Sequence, residues 1–253
     1  MNLWVKANTR WTKEQIAPWS SVYKTAYLIF PVIIYYFAGD VTEICLWFIL
    51  DSLSKRMSPN TIRILTEYSP TVKGIIYAIG LVVSICILEA SALNEIKYVE
   101  DHKEKDNKLT PFVWCRIVIA SLGLAVFLNY LFMYLGITSL SSTYDSVSRS
   151  QYGVTFVSGL MIYGIISPLV EEIIFRGIIF NRLKRIFPIT ISFIVGALLF
   201  GIFHGNIVQG IYGTIMGLFI IWVYDRYETI LAPIVVHVVA NVGVYVLNYT
   251  VWK

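Results

Sequence analysis

Charge is what this sequence has least of. Only 14% of its 253 residues are Asp, Glu, Lys or Arg, where a soluble domain of that length carries roughly a quarter. Histidine and cysteine are scarcer, with three of each. Cys45, Cys86 and Cys115 lie in apolar surroundings without CxxC spacing, which argues against a disulfide framework or thiolate metal site and for inert core thiols. There is no nucleotide-binding glycine pattern, no HExxH and no long repeat, and nothing points to a nucleic-acid partner. The first 21 residues lack the apolar core and small-residue cleavage site of a signal peptide.

What is there is apolar. Hydrophobic residues make up 57% of the chain and aromatics 15%, and the mean hydropathy is +0.68. Continuous apolar runs at 22–38, 74–93, 112–136, 153–176, 189–204, 207–224 and 230–250 approach or reach the ~20 residues that cross a bilayer. Continuous runs, not short alternating ones, exclude a membrane barrel. The expectation is an all-α polytopic bundle of about 7–8 spans. Residues 41–53, with Glu43 and Asp51, read as an interfacial or partly inserted helix, or as an eighth span. The whole of 1–253 reads as one membrane domain. Residues 1–21 form its cytoplasmic N-terminal segment, 22–152 its N-terminal helices and 153–250 its core.

Orientation follows from basic residues in short loops. Lys6, Arg10 and Lys13 precede the first run, Lys97, Lys103, Lys105 and Lys108 fill a charged loop over 94–110, and Arg182, Lys184 and Arg185 follow the fourth run. Seven spans with a cytoplasmic N-terminus put all three clusters inside. Lys55, Arg56 and Arg63 then fall outside, against the trend. The net charge of +4 reports loop orientation, and "NRLKRIF" reads as a lipid-anchoring basic stretch at the cytoplasmic surface.

Against this background, "SPLVEEIIFRG" at 167–177 stands out. A charged side chain near the bilayer centre costs at least ~2.5–3.5 kcal/mol, so such groups face one another or a wet cavity. Glu172 and Arg176 are spaced i, i+4 and can pair; Glu171, about 100° round the helix, is left without that partner. Taken alone, the trio could be a structural ion pair. Two histidines lie in later apolar runs, His204 in "FGIFHGN" and His237 in "PIVVHVVAN", with Asn241 one turn beyond His237. Gly201 and Gly205 leave space beside His204. Ser167 reads as a local packing or capping residue, and His102 as a solvated loop residue. Three polar clusters on three consecutive regions suggest one buried site.

In order and type, "EEIIFR", "FGIFH" and "HVVAN" resemble the motifs of the CAAX prenyl protease and bacteriocin-processing family (the Abi or CPBP group) of intramembrane proteases. Pro168 and Phe175–Gly177 extend the likeness, which covers about 153–250. The resemblance implies an endopeptidase acting on a membrane-associated peptide or lipid-anchored protein, in a prokaryotic cell membrane. It implies Glu171 as the general base with His204 holding the water, and Glu172 and Arg176 as the supporting pair. His237 and Asn241 would stabilise the oxyanion, and no cofactor would be needed. A zinc-dependent version with Glu171, His204 and His237 as ligands stays open. So do a non-catalytic immunity or regulatory protein and a proton-coupled transporter.

Overall fold

The computed structural model describes residues 9–67, 69–103 and 107–252, and among them there is no strand. Lys6 and Lys105, expected on the cytoplasmic face, lie outside the described residues. We number nine helices: α1 Ser21–Ser54, α2 Pro59–Glu67, α3 Ser69–Asp101, α4 Pro111–Tyr134 and α5 Ser142–Tyr152, then α6 Phe156–Ile186, α7 Ile189–Ile202, α8 Ile207–Tyr227 and α9 Leu231–Trp252. Six of them (α1, α3, α4, α6, α8 and α9) are long and apolar enough to cross a membrane, and α7 is a shorter apolar helix. The chain is a multi-pass helical membrane protein.

Local chemistry sets the boundaries. Thr110, Ser141 and Asn206 cap α4, α5 and α8 by accepting from the backbone N–H groups of Val113, Tyr144 and Gln209, which satisfies donors that a helix start leaves unpaired. Pro111 stands in the first turn of α4, where its missing N–H costs nothing. Glu228, at φ 48°, ends α8 in the left-handed region, its N–H bonded to the Tyr224 carbonyl.

Several expectations change here. Residues 41–53 are not a separate interfacial helix or an eighth span but the second half of α1, which at 34 residues is about 51 Å long and outruns the ~30 Å hydrocarbon core. The stretch 94–110 is not all loop, since α3 continues to Asp101. The 138–152 connection holds the helix α5. Cys45, Cys86 and Cys115 are all exposed rather than in the core.

The basic stretch after α6's apolar core is no lipid anchor. Arg182 is fully buried; it donates to the Tyr27 carbonyl at 2.6 Å and to Ser91. Arg185 pairs with Glu95, and Lys184 with Asp225 at 3.4 Å. Glu95, 1% exposed, also faces Arg182 Nε at 3.5 Å and Arg10 Nε at 4.0 Å. One buried carboxylate therefore gathers three guanidinium groups from the N-terminal segment and α6. Burying it among opposite charges removes the desolvation penalty that made 94–101 read as solvated.

A dry cluster separates this polar layer from the middle of the bundle. Leu88, Ile174, Ile178, Ile179 and Leu183 are all fully buried within it. On the other side α7 and α8 form a tight hairpin. A Cβ on Gly201 would stand 2.0 Å from Thr214 Oγ1 and 2.4 Å from the Gly210 carbonyl, so small residues let the two backbones touch. Gly201 thus serves helix packing rather than space beside His204.

Candidate active site

Glu171 is the middle residue of α6, with 15 residues on either side. Two stretches of that helix, Leu160–Ile166 and Ile173–Phe180, are π-helical, and wide turns of this kind concentrate at functional sites. In the first, the Ser167 N–H bonds to the Ile162 carbonyl five residues back. The same register would pair residue 168 with the Tyr163 carbonyl, but Pro168 has no N–H to give. Asn241 from α9 supplies the missing donor, its Nδ2 lying 3.1 Å from the Tyr163 oxygen.

The two glutamates have separate partners. Glu172, fully buried, accepts from Arg176 Nη1 at 2.8 Å on the expected i, i+4 spacing. The same oxygen meets His237 Nδ1 at 2.6 Å. The Arg176 guanidinium lies 4.2 Å over the Phe200 ring and reaches the Gly217 carbonyl at 3.4 Å. Glu171 instead accepts from Ser167 Oγ at 2.6 Å, and Ser167 Oγ lies 3.3 Å from Tyr77 Oη. Ser167 is therefore bonded to the glutamate one turn on, a partnership that its i, i+4 spacing could have suggested.

Glu171, Ser167, His204 and Asn241 share the wall of a cavity of about 550 Å³, with Tyr35, Tyr77 and Tyr163 beside them. Its volume is that of a small-ligand site. The three tyrosines come from α1, α3 and α6, and no sequence motif marks the first two. His204 lies in the turn after α7 rather than in a span: Gly205, at φ 70°, turns the chain where a side chain would be strained. Its Nδ1 lies 2.9 Å from the Phe200 carbonyl. A carbonyl only accepts, so Nδ1 is the donor and Nε2 of the neutral ring is left as an acceptor.

His237 is placed differently from Asn241. It stands behind the wall, 5% exposed, with Nδ1 on Glu172 and Nε2 3.9 Å from Glu171 Oε2.

Depth is matched by chain length. Counted from the Phe187–Pro188 turn, Glu171 is 15 residues back from Ile186 and His204 is 15 residues on from Ile189, each about 22 Å at α-helical rise. No steep tilt of α7 is needed to bring them level, because α6 runs on to Ile186 rather than ending near Arg182. Among the described residues, no group of three or more His, Cys, Asp and Glu side chains is placed to hold a metal ion.

The model of the type II CAAX prenyl endopeptidase Rce1-like family matches residues 153–243. This C-terminal region belongs to that family. A relative named "Putative membrane peptidase YdiL", from Bacillus subtilis (strain 168), is 31% identical over 89 residues. The match covers 35% of this chain and 36% of that relative. No solved structure matches. The family region begins just before α6 and ends within α9, so it contains the glutamates, both membrane histidines and Asn241, but neither Tyr35 nor Tyr77.

Proposed function

We propose that the chain is an intramembrane endopeptidase that hydrolyses a peptide bond of a membrane-associated peptide or lipid-anchored protein. The observation that carries this reading is the shared cavity wall of Glu171, His204 and Asn241, two acceptors and an amide donor around one space.

A water between Glu171 and His204 Nε2 has an acceptor for each of its protons. As its oxygen attacks the scissile carbonyl carbon, Glu171 takes one proton and the carbonyl oxygen gains the negative charge. Asn241 meets that charge. Its Nδ2 carries two N–H bonds; one is held by the Tyr163 carbonyl, which fixes the amide, and the other turns to the oxyanion. Such preorganised donors contribute about 2.7–4 kcal/mol each. Collapse of the tetrahedral intermediate breaks the C–N bond, Glu171 returns its proton to the leaving nitrogen, and an acid and an amine result.

His237 acts from behind, holding Glu172 and Glu171 in register as a positioning residue. In its doubly protonated form, two carboxylates, one guanidinium and one imidazolium leave the cluster with no net charge, the least costly arrangement in a low-dielectric interior. Glu172 and Arg176 are the frame of the site. No step is assigned to a metal.

The test is peptide cleavage by the purified protein in nanodiscs, followed by mass spectrometry, with Glu171→Gln and a chelator in parallel. General-base catalysis contributes about 10²–10⁴-fold, so the variant is expected to be at least about 100-fold slower, and the chelator to have no effect. Wild-type rates from Glu171→Gln would sink the reading. Loss of cleavage with chelator and its return with zinc would make Glu171 and the histidines metal ligands.

A further inference from the structure

The cavity leaves Glu171 in one direction only. Towards α6's C-terminal end it meets the dry cluster of Ile174, Ile178, Ile179 and Leu183, all fully buried, and beyond that the Glu95 layer. Its other wall residues come from the opposite end of the bundle. Ser148, Ser150 and Gln151 are on α5, which connects α4 to α6 at that end, and Gln209 is in the first turn of α8. Lys73 is in the first turns of α3. Ser150 and Lys73 are exposed, which makes this end the mouth.

The charges say which end is which. Among the described residues, ten lysines and arginines lie at the Glu95 end, in the segments 10–24, 97–108 and 182–185 and at 226. Five (Lys55, Arg56, Arg63, Lys73 and Arg149) lie at the mouth end. The excess of basic residues marks the cytoplasmic side.

We propose that the site is served from the extracytoplasmic side and takes peptide segments exposed there, such as the outer flank of a membrane anchor or a secreted peptide. This rests on the peptidase reading above. The mouth suits a peptide backbone: Gln151, Gln209 and Ser148 offer amide and hydroxyl groups. Burial pushes the Tyr152 phenol up to about 12, so at this wall it stays neutral and able to donate. A substrate on the cytoplasmic side would have to pass the buried isoleucine layer to reach Glu171.

Sidedness is tested without reference to activity. In a background with Cys45, Cys86 and Cys115 replaced by serine, Ser150→Cys, Gln209→Cys and Lys97→Cys are each treated with a membrane-impermeant maleimide in intact cells. We expect labelling of the first two in intact cells, and of Lys97→Cys only after permeabilisation; Ser146→Cys replaces Ser150→Cys if that variant does not fold. The reverse pattern overturns the proposal. A second arm offers one cleavable peptide on either flank of a single-span anchor, and only the outer copy should be cut. Cutting of the inner copy overturns the proposal even if labelling is as expected. If neither copy is cut while labelling is as expected, the peptidase reading fails and the substrate class with it, and the outward-facing cavity stands.

Discussion

At the scale of single residues, the site separates groups that react from groups that hold. Glu171 faces the cavity through a short bond to Ser167, whereas Glu172 spends one oxygen on both Arg176 and His237. Breaking a buried pair by removing one partner costs about 3–5 kcal/mol, far more than replacing both. Arg176→Met is therefore expected to lower the thermal midpoint in detergent sharply. Adding Glu172→Gln to it should recover part of the loss, as read by heating and size-exclusion. Equal midpoints for Arg176→Met and wild type would show that the guanidinium is not the partner the carboxylate depends on. Of this arrangement, the Glu172–Arg176 bond was legible from spacing alone. Ser167 was not recognised, although it stands at the same spacing from Glu171, because a serine beside a proline also fits a helix start. Tyr35 and Tyr77 could not be found, since only the packing of α1 and α3 against α6 brings them to the cavity.

At the scale of elements, α6 is shaped by a proline. Pro168 leaves the Tyr163 carbonyl without its helical donor, and Asn241 ties α9 to α6 at that point. Losing such a donor leaves a buried acceptor unsatisfied, at about 1–3 kcal/mol. Asn241→Ala should therefore lose both stability and activity. Pro168→Ala/Asn241→Ala should regain stability, because alanine restores the N–H, yet remain inactive for want of the oxyanion donor. Recovery of cleavage in the double variant would reduce Asn241 to a structural role. The charged stretch after residue 94 was misread for a related reason: charge density along a sequence reads as solvent, and only the fold shows that the charges face each other. Helix length misled as well, since the acidic residues of 41–53 look like a boundary until α1 is seen to run past the hydrocarbon core.

At the scale of the whole molecule, two polar centres are stacked along the bundle and insulated from each other by a dry layer. The Glu95 centre joins the N-terminal segment, α1, α3 and α6, through Arg10, Tyr27, Arg182 and Arg185. Glu95→Gln leaves three guanidinium groups without their carboxylate, and a loss of about 3–5 kcal/mol is expected. Removing the exposed Lys55–Asp51 pair, with side chains 72% and 65% exposed, should change stability by no more than about 1 kcal/mol. Parallel melting curves of the two variants check the contrast, and equal effects would contradict the buried layer as the lock of the N-terminal half.

The two equal arms about the Phe187–Pro188 turn have a consequence for how this region can vary over time. They act as a gauge: Glu171 and His204 meet because each is the same number of residues from a common fold. Exchange of one lipid-facing side chain for another leaves the gauge intact. Loss or gain of a single residue in either arm shifts one partner by about 1.5 Å and swings it by about 100°, out of reach of a shared water. Descendants of this chain are thus free to change the letters of these helices but not their length.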